Sequence, residues 1–226
     1  MGNSEHDVHS LGMPAPKAIP RRPRRRGRRP RTYAAVLAAT TELLETTSLA
    51  ELSVAQILDA AGVGRTSFYE HFSSKEDVLI KLVRGISAEV ADELEPMFER
   101  GDRSPDDAFA DGLGRLMNVC ARYAPLVVAA TEEWPSIPDL QRLWLRLHGD
   151  LTIRLERVIV EDRASGLAPP GADAEALAAS LVWTAERSFH VAMTAEHPSL
   201  TGVGDLIAPL TQVFVGAIYG RRCASV

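Results

Sequence analysis

The chain has 226 residues, 46% of them hydrophobic, which is enough for a small module and a larger domain that each bury a core. Its two cysteines, Cys120 and Cys223, are too few and too far apart for a disulfide framework and read as unpaired thiols of a reducing compartment. No apolar run approaches the roughly 18–20 residues of a membrane span and no signal-like apolar segment opens the sequence, so a cytoplasmic protein without a membrane partner is expected. The net charge of −5 conceals a division: residues 1–31 hold nine basic residues against two acids, leaving the remainder strongly acidic. A basic arm on an acidic body points to a polyanion partner for the arm alone.

Residues 1–31, with five prolines and an arginine run that ends Arg28-Arg29-Pro30-Arg31, show no apolar periodicity and are predicted to be a disordered arm. With Thr32 as N-cap, Val36, Ala39, Leu43 and Leu44 recur at helical spacing and predict a first helix to about Thr47. A second helix opens at Ser53, paired with Gln56 in a capping box, and ends near Gly62. Gly62-Val63-Gly64 reads as a tight turn, Arg65–Phe72 as another short helix, and Ser73 with Glu76 as the capping box of the next. Val78, Leu79, Leu82, Val83, Ile86, Val90 and Leu94 stripe that long fourth helix to about Pro96. Further helices are predicted near 105–123, 125–133, 138–165, 173–195 and 204–220, with prolines at or between their ends. No segment keeps a two-residue alternation, so the fold class is all-α.

Residues 53–72 have the layout of a helix-turn-helix. Ile57, Ala60, Val63, Phe68 and Phe72 are expected to face inward and fix the angle between the helices, freeing the other face of the second one to enter a major groove. Over Thr32–Leu82 this sequence resembles the TetR family of repressors, through its Ala-Gly-Val turn, its Phe68-Tyr69 pair and the following Phe72-Ser73-Ser74-Lys75-Glu76 run. The resemblance implies double-stranded operator DNA as partner. It places Arg65, Thr66, Ser67 and Glu70 at groove-facing positions and Tyr69 and Lys75 at phosphate-contacting ones, with Val54 contacting phosphate through its backbone at a helix N-terminus. Ser53 and His71 complete that stretch of the predicted DNA-binding set. Ala55 stands where many relatives carry a base-reading residue, and Gly64 replaces the usual Ser or Thr cap. Residues 32–82 carry a net charge of −4, so Arg28, Arg29 and Arg31 of the arm are expected to supply phosphate or minor-groove contacts. The organisation that follows is an arm (1–31), a helix-turn-helix domain (32–78) and a helical ligand-binding and dimerisation domain (79–226).

Residues 83–226 contain no catalytic constellation, and no cofactor or metal is expected; His148, His190 and His197 lack ligand spacing and read as surface or satisfied core histidines. Aromatic and apolar residues spread over several amphipathic helices could instead line an internal cavity. The predicted ligand-binding set is Phe109, Met117, Trp134, Trp144, His148, Leu151, Val182, Trp183, Thr184 and Phe189, with Glu186 as a further polar group. This half resembles the EthR-like subgroup of the TetR family through Leu143-Trp144, Glu161-Asp162-Arg163, Ala185-Glu186-Arg187, His197-Pro198-Ser199 and Ala217-Ile218-Tyr219-Gly220. That subgroup has a hydrophobic tunnel; its paired asparagines fall here on Val182 and Ala185 and its tunnel tryptophan on Leu151, which implies a less polar pocket. In the family the last two helices pair with their copies, and their apolar character here fits a homodimer. The expected function is a repressor released from DNA by a small apolar effector. The rival reading is a helical small-molecule-binding protein with a vestigial helix-turn-helix.

Overall fold

The computed structural model describes residues 28–200 and 202–220, and among them there is no strand. Helices α1 (Arg28–Leu43), α2 (Val54–Ala61) and α3 (Arg65–Tyr69) form an N-terminal head, from which α4 (Lys75–Phe98) runs into the rest of the molecule. That part comprises α5 (Pro105–Arg122), α6 (Ala124–Glu133), α7 (Pro138–Ala164), α8 (Ala174–Thr194), a 3₁₀ turn (Val203–Leu206) and α9 (Ile207–Tyr219). The all-α expectation holds, and no helix among the described residues is long and apolar enough to cross a membrane.

Three local expectations shift. Residues 1–27 of the expected arm lie outside the described residues, and 28–31 are not disordered but form the first turn of α1, so Thr32 sits inside the helix rather than capping it. Pro30 sacrifices no hydrogen bond there, because the first four N–H groups of a helix have no acceptor within it. Tyr33 anchors this turn by stacking on Phe72, with ring centroids 5.1 Å apart. At the other end α1 stops at Leu43, short of Thr47, and Thr46 and Thr47 both donate to the Leu43 carbonyl in a turn. The run Thr46-Thr47-Ser48 has weak helix propensity. The cap of α4 is Ser74, one residue later than Ser73. Ser74 Oγ accepts from the Asp77 N–H (3.3 Å), and the Ser73 N–H donates to the Asp77 carboxylate (2.9 Å). Asp77 thus does what Glu76 was expected to do.

The α2–α3 turn follows its chemistry. The box between Ser53 and Gln56 is formed at the start of α2, and Gly62 takes a left-handed conformation (φ 62°) that a side chain would strain. Gly64 is extended, so its lack of a Cβ is not required there. Phe68, Phe72 and Ile57 are fully buried and Val63 packs against them, but Ala60 is exposed and Ala61 takes the packing position instead.

One apolar cluster joins the head (Val36, Leu52, Ile57, Phe68, Phe72) through Val78, Leu79 and Val83 of α4 to Leu126 and Ala130 of α6 and Leu140 and Trp144 of α7. The core is therefore continuous across the 78/79 boundary. A second cluster unites the C-terminal half of α4 with α5, α7, α8 and α9. Pro96 falls in the last turn of α4, which continues past it to Phe98. Helices α4 and α5 approach closely at Gly112, where a Cβ would lie 2.5 Å from Met97 Cβ. Because the obstruction is the first atom of a buried side chain, Gly112→Ala is expected to cost about 1–3 kcal/mol of stability in urea denaturation. Gly114→Ala, whose Cβ meets only Ile207 Cδ1 at 3.6 Å, is expected to be tolerated.

Candidate functional site

The reading surface is built by burying one face of a very short helix. Phe68 and Phe72 turn inward with centroids 5.3 Å apart, so Arg65, Thr66, Tyr69 and Glu70 point to solvent. Tyr69 is 50% exposed, high for a large aromatic ring, and its covered half packs edge-on against Phe68 at 5.2 Å. Ser67 and His71 are half-buried, and His71 lies past the end of α3 with its ring edge-on to Tyr33 at 6.1 Å. At the start of α2 the Ser53 hydroxyl is occupied by Gln56, donating to Oε1 (2.7 Å) and accepting from its N–H (3.3 Å). An anion there would meet first-turn N–H groups such as that of Val54 rather than the Ser53 side chain. Arg31 is exposed on the first turn of α1, on whose backbone Arg28 and Arg29 also lie.

Lys75 departs from its expected place at a phosphate. Its ammonium donates to the carbonyls of Leu49 (2.7 Å), Ala50 (3.0 Å) and Leu52 (2.7 Å), which occupies all three of its protons. Lys75 therefore fastens the α1–α2 loop to the start of α4. No short-range pattern reveals this, since the acceptors lie 23–26 residues away. Lys81 ties the same helix to the end of the reading segment, donating to the His71 carbonyl (2.7 Å) and pairing with Asp77 (2.9 Å).

A cavity of about 220 Å³ lies between α4, α5, α6, α7 and α8. Five of the ten expected residues line it: Trp144, His148, Leu151, Val182 and Phe189. Glu186, the further polar group expected, and Ala185, one of the two asparagine positions of the subgroup, also line it; Val83, Ile86, Cys120 and Thr131 line it without having been expected. On α8, Val182, Ala185, Glu186, Phe189 and Met193 follow helical spacing along one side. Thr184 is two residues, some 200°, from Val182. It is exposed on the opposite side, its hydroxyl donating to the Ser180 carbonyl (2.7 Å), so it is not a cavity residue.

The other four miss the cavity because their side chains are used elsewhere. Phe109 packs on Phe214 with centroids 5.5 Å apart, and Met117 is buried in the same core cluster. Trp134 packs against Trp183 (5.8 Å), and Trp183 stacks on His148 (4.5 Å, planes 13° apart), so both tryptophans back the wall rather than form it. His148 bonds the Trp144 carbonyl through Nδ1 (2.9 Å), and burial lowers its pKa against that bond, keeping the imidazole neutral. His190 is likewise satisfied, with Nδ1 2.7 Å from Thr131 Oγ1. Burial pushes the Cys120 thiol up to about 12, which leaves it unreactive. Burial also raises the Glu186 carboxyl, opposed by Arg187 and His190.

On the outside, α8 exposes Ala176, Ser180, Thr184 and Arg187, and α9 exposes Pro209, Gln212, Val213 and Ala217. Ser180 and Thr184 donate to carbonyls of their own helix, so that face presents mainly methyl and methylene groups.

Residues 36–82 match the family model for bacterial regulatory proteins of the tetR family, and residues 109–220 match that for the C-terminal domain of the transcriptional regulator EthR. The chain is 31% identical over 187 residues to the HTH-type transcriptional regulator EthR of Mycolicibacterium smegmatis, covering 83% of this chain and 86% of that protein. It is 26% identical to the EthR of Mycobacterium tuberculosis, covering 83% of this chain and 87% of that protein. Among solved structures it is similar in fold to the fatty acid degradation regulator FadR of Bacillus halodurans. There the TM-score is 0.68 at 18% identity, covering 82% of this chain and 95% of that one. It is also similar to FadR of Bacillus subtilis in complex with stearoyl-CoA, with a TM-score of 0.63 at 19% identity over 84% of this chain and all of that one.

Proposed function

Since the chain belongs to the TetR family of transcriptional regulators and carries an EthR-like C-terminal domain, we propose that it represses transcription by occupying operator DNA as a homodimer and leaves the DNA when a small apolar molecule fills its cavity. The observation that carries this reading is the path of α4. Val78 and Leu79 are buried in the head, while Val83 and Ile86 line the cavity about one to two turns further on. With Lys81 bound to the His71 carbonyl, a displacement of α4 at the cavity wall transmits to α3. Two copies joined through α8 and α9 would present two reading heads to half-sites about one turn of DNA apart. An effector that prefers one α4 position would then change their spacing, with about 1–3 kcal/mol as typical coupling.

In this reading Arg65, Thr66, Tyr69 and Glu70 face the major groove and its phosphates, Val54 offers its backbone N–H, and the basic N-terminal segment offsets the acidic head. The cavity, smaller than the roughly 300–1,000 Å³ of drug-sized sites, suits an effector of modest size. The test is binding of the full chain to DNA upstream of its own gene in excess nonspecific competitor. Arg65→Ala and Tyr69→Ala are each expected to weaken binding by about 1–3 kcal/mol. The first should leave thermal stability unchanged, and the second should lower it only slightly, because the Tyr69 ring is half exposed and packs edge-on against Phe68. Unaltered DNA binding in both variants would leave the rival reading, a binding protein with an idle helix-turn-helix, as the better one.

A further inference from the structure

We propose that the cavity selects a small apolar amine, held as its ammonium ion by Glu186; this rests on the sensing role proposed above and names the chemistry of the effector. The Glu186 side chain is only 8% exposed, and its Oε1 has no hydrogen-bond partner. A carboxylate so placed in a mainly apolar wall is costly until a donor or a cation completes it.

The protein supplies only a distant cation, on the other oxygen, and none to Oε1. Arg187, next in sequence, comes no closer than 3.8 Å to Oε2, and its own side chain is 56% exposed. His190, one turn on, is engaged by Thr131 through Nδ1 and lies 3.6 Å from Glu196 through Nε2. From α7, His148 is kept neutral by burial and holds its Nδ1 on the Trp144 carbonyl. Arg154 is the one cation among the described lining residues, and it is paired with Glu95 and stacked over Phe98 at 4.3 Å. Glu186, paired only at 3.8 Å with a solvent-exposed Arg187, and the exposed Asp150 therefore leave the wall with a partly compensated negative charge, which attracts cations and repels carboxylates.

A second orphan narrows the class. Trp144 Nε1, a donor buried in the same wall region, also lacks a partner. It calls for an acceptor atom in the same ligand, as an aryloxyalkylamine provides: ether oxygen for the indole, ammonium for the carboxylate, rings and methylenes for the rest.

Three compounds of one skeleton test this on the full chain by calorimetry and tryptophan quenching: phenoxypropylamine, phenoxypropanol and phenoxypropanoate. The amine is expected to bind roughly ten- to hundredfold more tightly than the alcohol, and the carboxylate most weakly. Glu186→Gln, close to isosteric, is expected to bring amine and alcohol within about threefold of each other. Equal binding of amine and alcohol to the unaltered chain overturns the inference whether or not the variant folds, and so does an amine preference that survives Glu186→Gln. If amine and alcohol bind alike and both weaken DNA binding, the inference fails and the sensing role stands. Amine-selective binding that leaves DNA affinity unchanged supports the inference and removes the sensing role. Binding of none of the three overturns the inference and leaves the sensing role to its own test.

Discussion

Asp162→Ala is expected to lower the stability of the chain by about 3–5 kcal/mol, the range for breaking a buried ion pair by removing one partner. The Asp162 carboxylate, near the end of α7, accepts from both terminal nitrogens of Arg100 (2.6 and 2.5 Å) and from the Tyr219 hydroxyl (2.5 Å). One side chain therefore joins the segment after α4, the end of α7 and the end of α9. The partners are 6% (Asp162) and 19% (Arg100) exposed, so water cannot replace the lost acceptor without opening the structure. Tyr219→Phe, which removes one hydrogen bond and leaves the ion pair, is expected to cost only about 0.5–1.5 kcal/mol. Arg100→Met combined with Asp162→Leu is expected to recover most of the loss, because no charge is then left buried alone. Urea denaturation followed by circular dichroism measures all three; a loss below about 1 kcal/mol for Asp162→Ala would mean that Arg100 swings freely into solvent.

Lys75→Met is expected to destabilise the head by about 2–3 kcal/mol, in line with hydrogen bonds from a charged donor. The change takes the donor from the part-buried carbonyls of Leu49 and Leu52, that of Ala50 being exposed to water, and the side chains of Leu49 and Leu52 are themselves part of the head core. The effect on DNA then has a distinctive form. Removing a phosphate contact would reduce the slope of log K against log salt by about one unit. Removing a loop fastener lowers the folded fraction of the head and leaves that slope unchanged at a temperature where the head is folded. Salt titrations of wild-type and Lys75→Met protein at low temperature separate the two outcomes.

The resemblance to the TetR family was legible in the sequence because its motif is local. Ser53 and Gln56 meet across one helical turn, Gly62 takes the conformation that only glycine adopts without strain, and Phe68 and Phe72 lie one turn apart on the buried side of a short rod. Comparison with EthR proteins then extended the likeness along most of the chain. The cavity was legible only by half. Periodicity shows that Phe109, Met117, Trp134 and Trp183 are turned inward, yet an inward side chain has two fates, filling the core or facing a gap. Which of them it meets depends on the neighbouring helix: Phe214 reaches Phe109, and Trp134, Trp183 and His148 consume one another in a stack.

The amino-acid order by itself determined the all-α class, the box and glycine turn that bound α2, and which edge of α3 is left to solvent, since capping, glycine dihedrals and helical spacing act within a few residues. The ends of α1 and the cap of α4 moved by one to four residues. Only the tertiary structure decided that Lys75 holds a loop, that Asp162 binds Arg100 and Tyr219, and that Glu186 Oε1 is left without a hydrogen-bond partner in the cavity wall. Those outcomes depend on what distant segments bring within 3 Å of a charge, and a buried charge takes its role from its neighbours in space, where water is no longer present to make every surrounding alike.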